Sequence, residues 1–212
     1  MGHGQMKDLV IFGAGGHCRS ALSIAASTRR WNVLAVIDVS KEKKPPGERI
    51  MGIPVFHISE WARDKAIDTE VFIAIGGNKE RLSFARFLGS DNITTLIHES
   101  AQVDESAIID VGCLIGANAH IGPCTRVGAY TIINTGADLE HESTVGDYCH
   151  VGPGSVICGR VKLQKGVMIG ANSTILPGLI MEDWTTLGAG SVLTKSVVKP
   201  GDSYVGVPAK KL

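Results

Sequence analysis

From residue 97 to residue 193 an aliphatic side chain returns at every sixth position, from Ile97, Val103, Ile109 and Ile115 through to Met181, Leu187 and Leu193, seventeen in succession. Four residues after these sites the side chain is usually small, as at Ala101, Ala119, Thr131, Ala137, Ser143, Ser155, Ser173 and Ser191. A six-residue period is neither helical nor simply alternating. It predicts a solenoid whose flat faces are short strands, each turning one bulky and one small residue inward. With three faces, a coil takes about 18 residues and rises about 4.8 Å, so the stretch holds between five and six coils. A hydrophobic repeat can also mark nothing more than a core, but seventeen unbroken matches are too many for that reading. Glycine follows the aliphatic residue in seven units (Gly116, Gly122, Gly128, Gly146, Gly152, Gly170, Gly188), read here as turns that need a backbone without a Cβ.

The pattern before the repeat is different. DLVIFGAGGH (Asp8 to His17) is a buried-type strand ending in a glycine turn, HCRSALSIAASTRR has apolar residues at helical spacing, and WNVLAVID is a second strand ending on Asp38. VSKEKKPPGE reads as a surface loop, MGIPVF as a short edge strand, and HISEWARDKA as a short helix. VFIAIGGN is a third strand closing on Gly76, NKERLSFARFLG an amphipathic helix, and Asn92 to Ile97 a strand leading into the repeat. Successive strand-to-helix units imply a small parallel sheet with its ligand loops on one edge, at Gly13 to His17, Asp38 and Gly76 to Asn78. A glycine loop that opens a helix suits a phosphate, because unpaired amides favour an anion. It can equally be a tight turn. The dinucleotide pattern GxGxxG is broken by Cys18 at its third glycine position, which argues against a conventional NAD site.

Composition narrows the function classes. With 21 basic and 21 acidic residues the chain is formally neutral and has no basic run, which disfavours nucleic acid or an anionic membrane as partner. Hydrophobic residues make up 44% of 212, enough for a substantial core, and mean hydropathy is +0.15. No apolar run reaches the roughly 18 residues of a membrane helix, and no signal-peptide pattern opens the chain, where residues 1–5 read as a loose or non-native tail. Five cysteines without a CxxC pair suggest neither a disulfide framework nor a structural zinc site, so no metal is expected and a cytoplasmic, reducing location fits.

The repeat changes character at one place. Asn134 and Glu140 stand where glycine is favoured, and His141 and Glu142 follow directly. A rule broken inside a strong repeat marks a candidate functional position. A histidine titrating near neutrality can take a proton from an attacking amine, and an adjacent carboxylate can set its tautomer; an ordinary solvent-facing turn histidine is the plainer alternative. His150 lies nine residues on, half a coil away, and would meet His141 only across a subunit boundary. Gly152, Gly170 and Gly188 recur at intervals of eighteen with Ala171 and Ala189 beside them, a stack of small residues that suits either turns or an extended ligand arm.

The repeat resembles the hexapeptide-repeat acyltransferases. GAGGH, the strand ending VID, AIGGN, NTGADLEHES, CHVGPG, GANSTILPG and VGVPAKKL are similar to the sialic acid O-acetyltransferase and nucleotide-sugar (UDP-4-amino-sugar) N-acetyltransferase family over nearly the whole chain. The resemblance implies a small N-terminal α/β domain, a Rossmann-like parallel sheet, followed by a left-handed parallel β-helix. The expected domains are 1–95 for the nucleotide sugar, 96–200 for acetyl-CoA, and 201–212 as a C-terminal tail. It implies His141 as general base with Glu142 as its partner. His150, Ala171 and Ala189 would contact the co-substrate acetyl-CoA along the Gly170 and Gly188 track, and Gly15, Gly16, His17, Asp38 and Gly76 would line the nucleotide-sugar pocket. Family members often carry a second acidic residue after the strand-ending Asp; here it is Val39. The expected activity is acetyl transfer to the amino group of a nucleotide-linked 4-amino-4,6-dideoxyhexose, for bacterial surface-glycan or glycoprotein synthesis, by a homotrimer with active sites between subunits. O-acetylation of a sialic acid or related hydroxyl is the alternative, and a non-catalytic scaffold a third class.

Overall fold

A computed structural model describes residues 6–41, 47–61, 69–89 and 92–212. The chain divides into two compact units, Met1–Glu99 and Ser100–Leu212.

The first unit holds a five-stranded sheet. Its strands are β1 (Lys7–Phe12), β2 (Trp31–Asp38), β3 (Arg49–Ile50), β4 (Ile53–His57) and β5 (Glu70–Ile73), in the order β3-β4-β2-β1-β5. Only β3 runs antiparallel to its neighbour; β1, β2, β4 and β5 are parallel. Leu9 to Phe12 and Val36 to Ile37 are almost wholly buried, the continuous apolar run expected of parallel strands covered on both faces. Helix α1 (Gly16–Thr28) buries Cys18, Ala21, Leu22 and Ala25, a stripe at helical spacing, so the residue that breaks the dinucleotide pattern is a packing thiol. Gly13 has φ +107°, and a Cβ there would lie 2.7 Å from the carbonyl oxygen of Ala74, so no other residue fits between β1 and the end of β5. Helix α2 (Asn78–Leu88) follows β5.

Two expectations change. The strand expected over Asn92 to Ile97 is reduced to an isolated bridge from Ile93 to Val71 and a two-residue strand at Leu96–Ile97. The helix expected in HISEWARDKA begins as a 3₁₀ turn at Ile58–Glu60, closed by a capping box between His57 and Glu60; residues 62–68 lie outside the described residues, as do 1–5 and part of the VSKEKKPPGE loop.

The second unit is a parallel β-helix. Two-residue strands recur every six positions from Gln102–Val103 to Val192–Leu193 and fall on three faces. One face stacks the strands beginning at 102, 120, 138, 156, 174 and 192, and the second those at 108, 126, 144, 162 and 180. On the third, 114, 132, 150, 168 and 186 are continued by Ser203–Val205 and, antiparallel to it, Lys210–Lys211. Residues 201–212, set apart in the sequence as a tail, thus pair with the last coil. From Leu114 onward each rung pairs in parallel with the one eighteen residues away. Ile121, Ile133, Leu139, Val145, Val151 and Ile157 are fully buried, and so are the small residues Thr125, Thr131, Ser143, Ser155 and Ser173.

Those buried hydroxyls are tolerated because each donates to a turn carbonyl of the next coil, for example Thr131 Oγ1 to Gly146 O (2.8 Å), Ser143 Oγ to Cys158 O (3.0 Å) and Ser155 Oγ to Gly170 O (2.7 Å). The seven glycines after the aliphatic sites do a different job from the one the sequence suggested. The left-handed conformation lies two residues further on, at every turn from Gly112 to Gly190, and is held there by Asn118, Cys124, Tyr130, Glu142 and Arg160 as well as by glycine. The seven are needed for proximity: a Cβ on Gly116, Gly122 or Gly152 would come within 2.5 to 2.9 Å of the next coil's backbone.

Thr131 Oγ1 also accepts from Cys149 N at 3.1 Å. Thr131→Val keeps the shape and removes both bonds, and is expected to cost about 2 kcal/mol in chemical denaturation, with Thr131→Ser close to wild type.

Candidate functional site

In the first unit the chain order β2-β1-β5 reverses direction across the sheet at β1, and a crevice opens there at the carboxyl ends of the strands. A cavity of about 810 Å³ is lined by all three loops, Gly13 to His17 after β1, Asp38 to Ser40 after β2, and Ala74 to Gly76 after β5. Gly15, Gly16, His17, Asp38 and Gly76 are therefore brought to one wall-to-wall site. A Cβ on Gly15 or Gly16 would meet nothing within 4 Å, so their hydrogens face open space where a ligand can approach the backbone. α1 starts at Gly16 with no side-chain cap on its first amides.

Asp38 is only 3% exposed, and its carboxylate accepts from Ser40 N (3.0 Å) and Ser40 Oγ (2.9 Å). Its first task is to fold the β2 loop around itself. His57 Nε2 meets the Ser40 carbonyl at 3.0 Å, tying that loop to β4.

Residues of α2 contribute to this site and had escaped the sequence reading. Lys79, Ser83, Phe84 and Phe87 bring one face of α2 to the cavity. Phe84 also packs on Phe12, with ring centroids 5.5 Å apart. Arg81, 1% exposed, donates to Ile75 O and Gly76 O and to Asn78 Oδ1, each at 2.9 Å, and so sets the shape of the loop after β5. Its position three residues into an amphipathic helix does not mark it as buried.

In the second unit His141 and Glu142 occupy the turn between the rungs at 138 and 144. Glu142 takes the left-handed place (φ +61°). His141 Nδ1 lies 3.0 Å from Glu142 Oε2, and Arg160 Nε donates to the same oxygen at 3.0 Å. The bonds from His141 and Arg160 hold the Glu142 carboxyl below its ordinary range, so it is ionised wherever an imidazole titrates. A charged Glu142 keeps the proton of neutral His141 on Nδ1 and leaves Nε2 as the basic atom. The ring lies on Gly159, where a Cβ would be 2.5 Å from Nε2, and a pocket of about 340 Å³ is bounded by His141, Gly159, Arg160, Pro177 and Gly178.

His150 stands on the third face, on the rung His150–Val151. Asn134, one coil earlier, accepts from Thr135 N with its oxygen (2.8 Å) and offers its amide nitrogen to His150 Nε2 (3.2 Å), which explains a non-glycine residue at that position. Gly170 and Gly188 are half-buried and Ala189 is exposed beside them. Gly188 sits under Val205 of the C-terminal strand.

Comparison with known proteins fits this geometry. Residues 8–88 match the model of the PglD N-terminal domain, and residues 161–195 that of the hexapeptide repeat of succinyl-transferase. A histidine-to-alanine mutant of GDP-perosamine N-acetyltransferase from Caulobacter crescentus, solved with CoA and GDP-perosamine, superposes with a TM-score of 0.89 at 28% identity over 98% of both chains. The acetyltransferase domain of PglB from Neisseria gonorrhoeae FA1090, solved with acetyl coenzyme A, does so at 0.84 and 25%, over 98% of this chain and 100% of that one. The chain thus joins a region matching the PglD N-terminal domain to one matching an acyl-transferase hexapeptide repeat. Putative acetyltransferase YvoF of Bacillus subtilis (strain 168) is 37% identical over 81 residues, 38% of this chain and 41% of that protein's length.

In the stacked coils the Glu142 carboxylate meets the side chain eighteen residues on, Arg160. Arg160 was missed because that interval was used only for glycines, although Glu142 and Arg160 are eighteen apart. Among the described residues, one further group has metal-type donors: His120, Asp138 and Glu140, with ligand atoms within 4.8 Å of one another. His120 Nδ1 and Asp138 Oδ1 are already bonded to each other at 2.7 Å.

The contact between His141 and Gly159 is testable by volume alone. Gly159→Ala should fold with a near-native melting temperature, because the clashing atom is the end of a movable side chain, while the displaced imidazole lowers kcat by about ten- to a hundredfold.

Proposed function

We propose that the protein moves the acetyl group of acetyl-CoA to the amino group of a nucleotide-linked amino sugar of the 4-amino-4,6-dideoxyhexose type. The observation that carries this reading is the His141–Glu142 pair, with Nε2 kept basic beside a small pocket. The structural relatives solved with CoA and GDP-perosamine support both substrates.

The cavity at Gly15, Gly16, His17, Asp38 and Gly76 takes the nucleotide sugar: its glycines admit the diphosphate to the α1 amides, and Lys79 and Glu80 place one charge of each sign on the wall. The remaining lone pairs of Asp38 accept from a ribose or sugar hydroxyl. His150, Ala171 and Ala189, with Gly170 and Gly188, hold the pantetheine arm of acetyl-CoA.

In the reaction the neutral amine attacks the thioester carbonyl carbon and forms the C–N bond. His141 Nε2 takes the amine proton, the C–S bond breaks, and CoA departs as the thiolate, which the same proton or solvent neutralises; Glu142 steadies the imidazolium meanwhile. An acyl-cysteine is not needed. Cys149 is fully buried and its Sγ donates to Gln164 O at 3.0 Å, and burial, with Glu140 and Asp138 nearby, pushes the Cys158 thiol up and keeps it neutral.

A cytoplasmic setting, where acetyl-CoA and nucleotide sugars are available, fits a chain in which no helix among the described residues is long and apolar enough to cross a membrane. The working form is a homotrimer. His150 and His141 lie on different sides of the β-helix, and one site built from both takes one from each of two neighbouring subunits.

The deciding assay is acetyl transfer across UDP-, GDP- and dTDP-linked 4-amino sugars, with free sialic acid as the hydroxyl acceptor. Transfer to sialic acid alone would replace the amine by a hydroxyl. With the preferred sugar, His141→Ala is expected to lose at least about a hundredfold in kcat while both substrates still bind by calorimetry, and Cys149→Ser is expected to stay active. A trapped acetyl-Cys149 in mass spectrometry would overturn direct transfer. Sedimentation should give three times the chain mass of 22.4 kDa; an active monomer would remove the shared site.

A further inference from the structure

We infer that Arg160 is a positioning residue for the base, setting the orientation and basicity of His141 through the single Glu142 oxygen that the two side chains share. The inference rests on the reading of His141 as the proton acceptor.

The geometry is built by the coil repeat. Arg160 lies one coil after Glu142 in the same left-handed turn place (φ +62° and +61°), and its backbone amide donates to the His141 carbonyl at 3.0 Å. The side chain reaches back down the stack, so that Arg160 Nε and His141 Nδ1 each stand 3.0 Å from Oε2. One oxygen serving two donors gives each less than its full charge. With Arg160 present, Glu142 is held in the rotamer that grips Nδ1, which fixes the tautomer, yet its pull on a protonated ring is shared with a permanent cation. Without it, Oε2 belongs to the imidazole alone and the repulsion from the guanidinium is gone. Both changes favour imidazolium, so His141 would be protonated, and idle as a base, to a higher pH.

No other charge competes for the ring from its own stack: the residues one coil before and after His141 are Pro123 and Gly159, and Pro177 follows. The titratable groups on the adjoining turns are Glu140, gathered with His120 and Asp138, Cys158, whose thiol is neutral, and Cys124, one coil before Glu142. An arginine suits the post better than a lysine, because Nε of a planar guanidinium can meet one oxygen side-on while its charge stays in solvent. The side chain is 69% exposed, so its removal should not disturb folding.

The test follows the ring itself. In the full chain carrying isotope-labelled histidine, the His141 signal is titrated by NMR in wild type, Arg160→Met and Arg160→Lys, beside kcat against pH with acetyl-CoA and the preferred sugar. The expected result in Arg160→Met is a His141 midpoint raised by about half a unit, the surface value once solvent screening is allowed for. The acidic limb of kcat should move with it, a loss of about threefold on that limb, and Arg160→Lys should fall between. In a Glu142→Gln background, removing Arg160 should shift the midpoint by less than half as much. An unmoved midpoint in folded Arg160→Met would overturn the inference, and so would a full shift persisting with Glu142→Gln, since the cation would then act on the ring directly. A midpoint that rises while the kcat limb stays put would leave Arg160 in its role and remove His141 as the base.

Discussion

The second unit depends on how closely consecutive coils of the β-helix lie. The parallel ladder holds each strand against the one eighteen residues on at the spacing of paired backbones, so there is no volume between coils beyond what hydrogen bonds occupy. This forces glycine where a Cβ would enter the next coil's backbone, as at Gly116 and Gly152. It forces small side chains on the inner edge, and it makes serine and threonine acceptable there because a turn carbonyl of the next coil is always within reach. The same spacing aligns residue i with i+18 down every turn, and that alignment builds the chemistry: Gly159 carries the His141 ring and Arg160 meets Glu142.

The first unit solves a different problem with loops. Parallel strands end on one side, and where the strand order reverses at β1 the loops part instead of packing. Glycine lets β1 turn against the end of β5, Asp38 folds its loop through Ser40, and Arg81 holds the third loop by its carbonyls. A site framed in this way is organised before a ligand arrives, which reduces the ordering cost of binding.

Charge is used sparingly. The chain is formally neutral, and the carboxylate–imidazole–guanidinium group at Glu142 stands on an exposed turn, where solvent weakens each pair. Such a group contributes little to stability and is better suited to tuning a proton affinity. The interior of the β-helix relies on hydrogen bonds between neutral groups, while the buried charges Asp38 and Arg81 belong to the first unit.

The repeat, the number of coils and the presence of an α/β unit ahead of it were legible in the residues, because a six-residue period from Ile97 to Leu193 and strand-to-helix alternation are local patterns. His141 and Glu142 stood out as a break in that period. The reason for the glycines was not legible: sequence suggests backbone freedom, and only the stacked coils reveal that the constraint is room, with the left-handed turns two residues further on and held by residues as large as Tyr130 and Arg160. Nothing in the sequence around Arg81 or Arg160 tells their roles apart, yet one is buried as a loop clamp and the other is an exposed partner of Glu142. Local order follows from periodicity along the chain. Which side chains meet across it is decided by the stacking of coils and the closing of loops, which no single stretch of residues encodes.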